Sequence, residues 1–143
     1  MNPDELYTRL IERLISLHFD IHKQIEMKSQ VKRSTRVELY KRLGVAKDYM
    51  DTYYTRDIDL ETVSHVSLLS MSHFKRLFKE YYGINPHEYI VNKRLEKAKE
   101  LLSYSDLEVR NICTEVGFEN PSSFIRLFKS RYDRTPSSFR GQA

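Results

Sequence analysis

The sequence predicts an all-α protein: two tandem helix-turn-helix subdomains joined by a long helix and preceded by an N-terminal helical segment. Three observations carry that prediction. The 143 residues include only four glycines and four prolines, among long stretches of Leu, Lys, Glu and Arg, straight-chain residues that lose little rotamer freedom in a helix. Apolar residues recur at spacings of three and four, the period of one buried helical face. Finally, the phrase "SHFKRLFKEYYGINP" (Ser72 to Pro86) returns fifty residues later as "SSFIRLFKSRYDRTP" (Ser122 to Pro136), and similarity at a fixed interval marks a repeated unit.

The bulk numbers narrow the class. A hydrophobic content of 40% suffices for the core of one ordinary domain or two small ones. The single Cys113 excludes an internal disulfide framework, and no N-terminal apolar run reaches the length of a signal or membrane-spanning segment, so the expected compartment is the cytosol. The net charge of +4 is uneven: residues 1–69 carry 11 basic and 11 acidic side chains, residues 70–143 carry 13 and 9. The excess lies in the half that holds the repeat and points to a polyanionic partner, because clustered Lys and Arg displace counterions from phosphates.

From Asp4 to about Met27, Tyr7, Leu10, Ile11, Leu14, Leu17, Ile21 and Ile25 form an amphipathic stripe. The polar, basic run Lys28 to Thr35 predicts a linker, with Thr35 and Glu38 reading as a capping box for the next helix. That helix, about Arg36 to Tyr54, turns Val37, Tyr40, Leu43, Ala46, Met50 and Tyr53 inward and stops in Thr55-Arg56-Asp57. A short helix is expected over Leu60–Val66, and Ser70 suits the N-cap of the next one. Asn85, with Pro86 at the first helical position and Glu88 placed to reach back, opens a helix to about Ser103 whose buried side is Tyr89, Ile90, Leu95, Ala98, Leu101 and Leu102. After Ser103–Asp106 comes a short helix, about Glu108 to Val116, closed by Gly117. Asn120-Pro121 then starts the second copy of the phrase and Thr135-Pro136 a last turn. The domain division expected is 1–33, then 34–143, with helix-turn-helix units at about 58–82 and 108–132 and the linking helix at about 86–103.

Sliding the chain by fifty residues pairs Val66 with Val116, Ser72 with Ser122, Phe74 with Phe124, Arg76 with Arg126, Phe78 with Phe128, Lys79 with Lys129 and Pro86 with Pro136. Each copy has the layout of a helix-turn-helix. A turn of about 100° per residue gives the first copy a back of Phe74, Leu77, Phe78, Tyr81 and Tyr82 and a front of Ser72, Lys75, Arg76 and Lys79. The second copy has Phe124, Leu127, Phe128 and Tyr132 behind and Ser122, Ile125, Arg126 and Lys129 in front, with Arg131 toward the apolar side. The backs read as core. A single basic front would read as solvated surface, but a basic front on the second helix of a helix-turn-helix is the element that enters a major groove.

Arg is shaped for two hydrogen bonds to guanine O6 and N7, Lys and Ser reach bases or phosphates, and Ile125 offers a contact to a thymine methyl. Arg76 and Arg126 are therefore the leading base readers. Ser70, His73, Lys79, Asn120, Ser123 and Lys129 are assigned to phosphates, which position a protein without reading sequence. The linking helix, roughly 25 Å at about 1.5 Å per residue, would with its flanking turns set two readers about one DNA turn, 34 Å, apart. Because the two fronts differ, the site on double-stranded DNA is expected to be bipartite and non-palindromic.

Other readings are weaker. His18 and His22 lie four apart without an intervening Glu or a third ligand, so no metal is expected. Cys113 reads as core rather than nucleophile. No phosphate-cradling loop, paired-carboxylate or nucleophile signature suggests an enzyme, and no cofactor is implied. The alternative class is a protein-interaction module, with residues 4–27 as a homodimer or partner face and the fronts against acidic protein.

The phrases "FKRLFKEYYGINPHEYI" (Phe74 to Ile90), "RLEKAKELL" (Arg94 to Leu102) and "VGFENPSSFIRLFKSRYDRTPSSFR" (Val116 to Arg140) resemble the DNA-binding domain of the AraC/XylS family of bacterial transcription regulators, over about Lys41 to Gly141. The resemblance implies two helix-turn-helix subdomains on one long helix, binding to promoter DNA, and activation through RNA polymerase. It places base contacts at Ser72, Lys75 and Arg76 and at Pro121, Ser122, Ile125 and Arg126, Pro121 offering only a nonpolar contact. Asp133 stands where members commonly have glycine, and Val63 where many have alanine. Members commonly carry an N-terminal effector or dimerisation domain, whose tail residues 1–33 resemble.

Overall fold

A computed structural model describes residues 3–141, apart from the side chains of residues 3–12, 18, 19, 22, 27, 28, 30 and 31. Among the described residues all regular structure is helical: α1 (Pro3–Tyr53), α2 (Leu60–Val66), α3 (Met71–Tyr82), α4 (Pro86–Tyr104), α5 (Val109–Glu115), α6 (Pro121–Tyr132) and α7 (Pro136–Arg140). Residues 1–41 and 42–143 form two compact units.

In the first unit the linker expected at Lys28–Thr35 is helical, and Thr35 with Glu38 lies inside α1 rather than at a helix start. No residue of that stretch is Gly or Pro, so polarity removes the apolar stripe without breaking the helix. Ser29 Oγ donates to the Glu26 carbonyl (2.8 Å), a bond a helical serine makes without leaving the helix. Val37 and Tyr40, expected to point inward, are exposed. His18 and His22 lie outside the described side chains.

The second unit begins at Arg42. Leu43, Ala46 and Met50 on α1, Val63 on α2, Phe74 and Phe78 on α3 and Ile90 on α4 are buried. Leu95, Ala98 and Leu102 of α4 form a second core with Ile112, Cys113, Val116, Phe124 and Phe128. The two cores repeat the same aromatic joint. Phe78 meets Tyr89 edge-on at 5.5 Å and Phe128 meets Phe139 edge-on at 5.8 Å, so a ring from the helix after α3 or α6 closes the back of each. Each fully buried aromatic contributes roughly 2–3 kcal/mol through removal from water.

Caps fix where these helices start and stop. The side chains of Ser70, Asn85, Asn120 and Thr135 accept the amide three residues on, and Asn85 also donates to Glu88. Gly83 (φ +79) ends α3 and Asp133 (φ +59) ends α6, each amide bonding to the Lys79 or Lys129 carbonyl at 2.9 and 2.8 Å. The aspartate thus takes the left-handed cap a glycine would, as short polar side chains can.

The repeat holds a one-residue offset that fifty-residue alignment hides. The second helices start fifty apart, at Met71 and Pro121, but the first start forty-nine apart, at Leu60 and Val109. Burial follows the shorter interval: Val63 pairs with Ile112, Ser64 with Cys113 and Ser67 with Val116, all buried, whereas Val66 is 38% exposed and is no counterpart of Val116. The extra residue lies in the second turn. Ser64 and Ser67 stay satisfied in the core by donating to the Glu61 and Ser64 carbonyls (2.8 Å each). Tyr81, expected on the buried back of α3, is 53% exposed, its ring standing edge-on to Tyr82 at 4.8 Å.

Candidate nucleic-acid interface

The two fronts emerge because their backs are anchored. With Phe74 and Phe78 buried, helical geometry turns Ser72, Lys75, Arg76 and Lys79 outward, and all four are exposed. With Phe124 and Phe128 buried, Pro121, Ser122, Ile125, Arg126 and Lys129 are exposed, Ile125 at 39%. An exposed isoleucine between basic residues is what a thymine methyl contact would use.

Several basic residues behind the fronts are bonded within the fold. Lys47 and Lys93 pair with Asp51 (2.6 and 3.2 Å), Lys97 with Glu100 (3.0 Å) and Arg131 with Glu96 (2.9 Å). Arg94 donates to two backbone carbonyls. Arg131 also donates to Asn92 Oδ1 (2.8 Å), so it ties α6 to α4, in keeping with its expected place off the front. Among the described residues, the side chains of Lys75, Arg76, Lys79, Arg126 and Lys129 make no such bond within the chain. α6 contains no acidic residue and α3 only Glu80. The fronts therefore present positive charge that no partner has to surrender before an anion is bound.

The helix starts differ. Ser70 Oγ accepts the His73 amide at 3.4 Å and Asn120 Oδ1 the Ser123 amide at 3.1 Å, so both capping side chains are already engaged as acceptors. Ser70 and Asn120 are exposed while His73 and Ser123 are half-buried. In the second copy Pro121 removes one amide from the helix start, leaving it a poorer anion donor than the first. A groove of about 520 Å³ beside α3 is lined by Ser72, Lys75, Arg76 and Lys79 together with Leu60, Asn85 and His87. His87 is the residue sequence reasoning missed: it belongs to the linking helix, and only the docking of α4 against α3 brings it to the front.

Behind the first front, Asp51 accepts from Tyr89 Oη (2.6 Å), Lys47 and Lys93. Burial pushes the Asp51 carboxyl up, but these hydrogen bonds outweigh it and hold the group below the usual carboxylate range. Burial first, and then the bond to Asp51, push Tyr89 up to about 12.

A profile described as a helix-turn-helix domain matches residues 64–142. The probable transcription factor PqrA of Proteus vulgaris is 31% identical over 94 residues, which cover 64% of this chain and 77% of that protein. The chain belongs to the AraC/XylS family of transcription regulators. The C-terminal domain of the two-component response regulator yesN from Fusobacterium nucleatum has a similar fold, with a TM-score of 0.65 and 34% identity over 68% of this chain and 95% of that one. The regulatory protein PocR of Salmonella typhimurium is 31% identical over 88% of this chain but only 42% of its own length. The chain thus spans less than half the length of that relative. The family is one of DNA-binding regulators, not of enzymes.

Proposed function

We propose that this chain is a sequence-specific, promoter-binding regulator that inserts α3 and α6 into successive major grooves of a bipartite, non-palindromic site. The observation that supports it best is the clustering of free basic side chains: on two equivalent second helices the front Lys and Arg are exposed and make no bond within the chain, while Lys47, Lys93, Arg94 and Arg131 are committed to the fold. Arg76 and Arg126 are the base readers, with Ser72, Lys75, Pro121, Ser122 and Ile125 beside them. Ser70, His73, Lys79, Asn120, Ser123 and Lys129 take phosphates. On the resemblance to the family, the chain activates transcription through RNA polymerase in the cytosol.

Selection of bound duplexes from a random pool tests the proposal. Two distinct half-sites about one helical turn apart are expected; a palindrome or no enrichment would refute it. A salt titration separates this from docking on acidic protein, since log Kd should rise linearly with log salt, by about 0.9 for each phosphate neutralised.

We further propose that residues 4–27 mediate self-association. Leu14, Leu17, Ile21 and Ile25 are each at least half exposed along one stripe of α1, an apolar surface that a second copy would cover.

A further inference from the structure

Arg94 and Gly117 lie where the two subdomains meet. Arg94 lies in the middle of α4 and is half-buried. Its Nε donates to the Tyr54 carbonyl (2.6 Å) and its Nη2 to the Arg56 carbonyl (2.9 Å), both in the connection from α1 to α2 that belongs to the first subdomain. The same guanidinium stands 5.8 Å from the ring centroid of Phe118 in the second subdomain. Asp57 and Glu119, one from each side, share the cleft with it.

Gly117 completes the joint. It ends α5 with φ +94, and a Cβ there would sit 2.6 Å from the Thr55 carbonyl oxygen and 3.1 Å from Arg94 Nε. Backbone of the first subdomain therefore passes directly against the turn of the second, a closeness only glycine permits. A single helix as sole connector would bend and twist between the readers. A charge-assisted, two-pronged hydrogen bond set beside a backbone contact removes that freedom.

We infer that Arg94 and Gly117 are positioning residues that hold α3 and α6 at one separation and rotation, so that this joint decides which half-site spacing the chain accepts. The inference rests on the two-reader proposal above. Neither residue faces the bases, and neither changes which bases are preferred.

The test uses the full chain and duplexes carrying the selected site with its half-sites at the native spacing, moved by one base pair either way (about 34° of rotation), or presented singly. The wild type is expected to favour the native spacing by about tenfold or more. Arg94→Met keeps an unbranched stem and removes both donors. Arg94→Lys keeps the charge as a single point donor. Both are expected to bring the spacing ratio within about threefold while binding to single half-sites changes by less than about twofold. A variant that remains helical by circular dichroism and retains the wild-type ratio, with affinity or melting temperature merely lowered, would overturn the inference. A wild type indifferent to spacing would instead sink the two-reader proposal, and this inference with it, before any variant is made.

Discussion

A basic side chain in this protein means one thing when the fold has used it and another when it has not. Arg131 is committed to Asn92 and Glu96 at a partly exposed site, so Arg131→Ala is expected to lower stability by less than about 1 kcal/mol after solvent screening and to leave base preference unchanged. Arg76→Ala and Arg126→Ala should do the opposite, each losing roughly 1–3 kcal/mol of discrimination at one half-site with little change in melting temperature. Binding titrations on matched and mismatched half-sites, read beside thermal melts, distinguish the two patterns. Asp51 shows the same logic in titration. Its folded pKa is lowered, so its contribution is present above the ordinary carboxylate value of about 3.9 and is lost as pH falls through the lower folded value. Tyr89 is the reverse case: its contribution is complete below about 10 and is lost as pH rises through the folded value of about 12. Asp51→Asn is expected to flatten the acid limb of a melting-temperature profile below about pH 4 and to cost about 1–2 kcal/mol at neutral pH.

Among the elements, the caps decide where each front begins, because a helix start moved by one residue turns its face by about 100°. Asn85 closes the turn behind α3 and starts α4, bonding Glu88 through both its oxygen and its nitrogen. Asn85→Ala is expected to cost about 1 kcal/mol, measured by urea unfolding. The turns are less alike than the helices they join. The second has one residue more, and its Gly117 serves the joint with Thr55, whereas the first passes through Leu68 at φ +55 with that side chain 73% exposed. Two units of common pattern thus differ in the segment that sets the angle between their helices.

For the molecule as a whole, the division at Arg42 separates a unit with a buried core from a stretch of α1 on which Leu14, Leu17, Ile21 and Ile25 are exposed. Deleting residues 1–33 is expected to leave single-site DNA binding within about threefold, since the fronts and their phosphate partners lie elsewhere, and to abolish concentration-dependent association in analytical ultracentrifugation. Identical sedimentation of the two forms would remove the proposed dimer helix.

Much of the unit from Arg42 onward is legible in the sequence. The buried phenylalanines, the capping asparagines, the linking helix and the fronts all follow from residue type and helical period, which are local properties and need no partner to be specified. The remainder depends on contacts that are not local. The polarity of Lys28–Thr35 ends an apolar stripe without ending α1, because a solvated helix needs no stripe. Tyr81 lies outside and Val66 has no counterpart in Val116, because periodicity and a fixed offset carry no information on a neighbouring helix or an inserted turn residue. What the sequence determined was the set of helices and the face each one presents. Tertiary structure alone decided which basic residues remain unpaired, that His87 joins the front of α3, and that Arg94 and Gly117 clasp the first subdomain to the second, because each depends on groups from distant parts of the chain meeting within hydrogen-bonding or van der Waals reach.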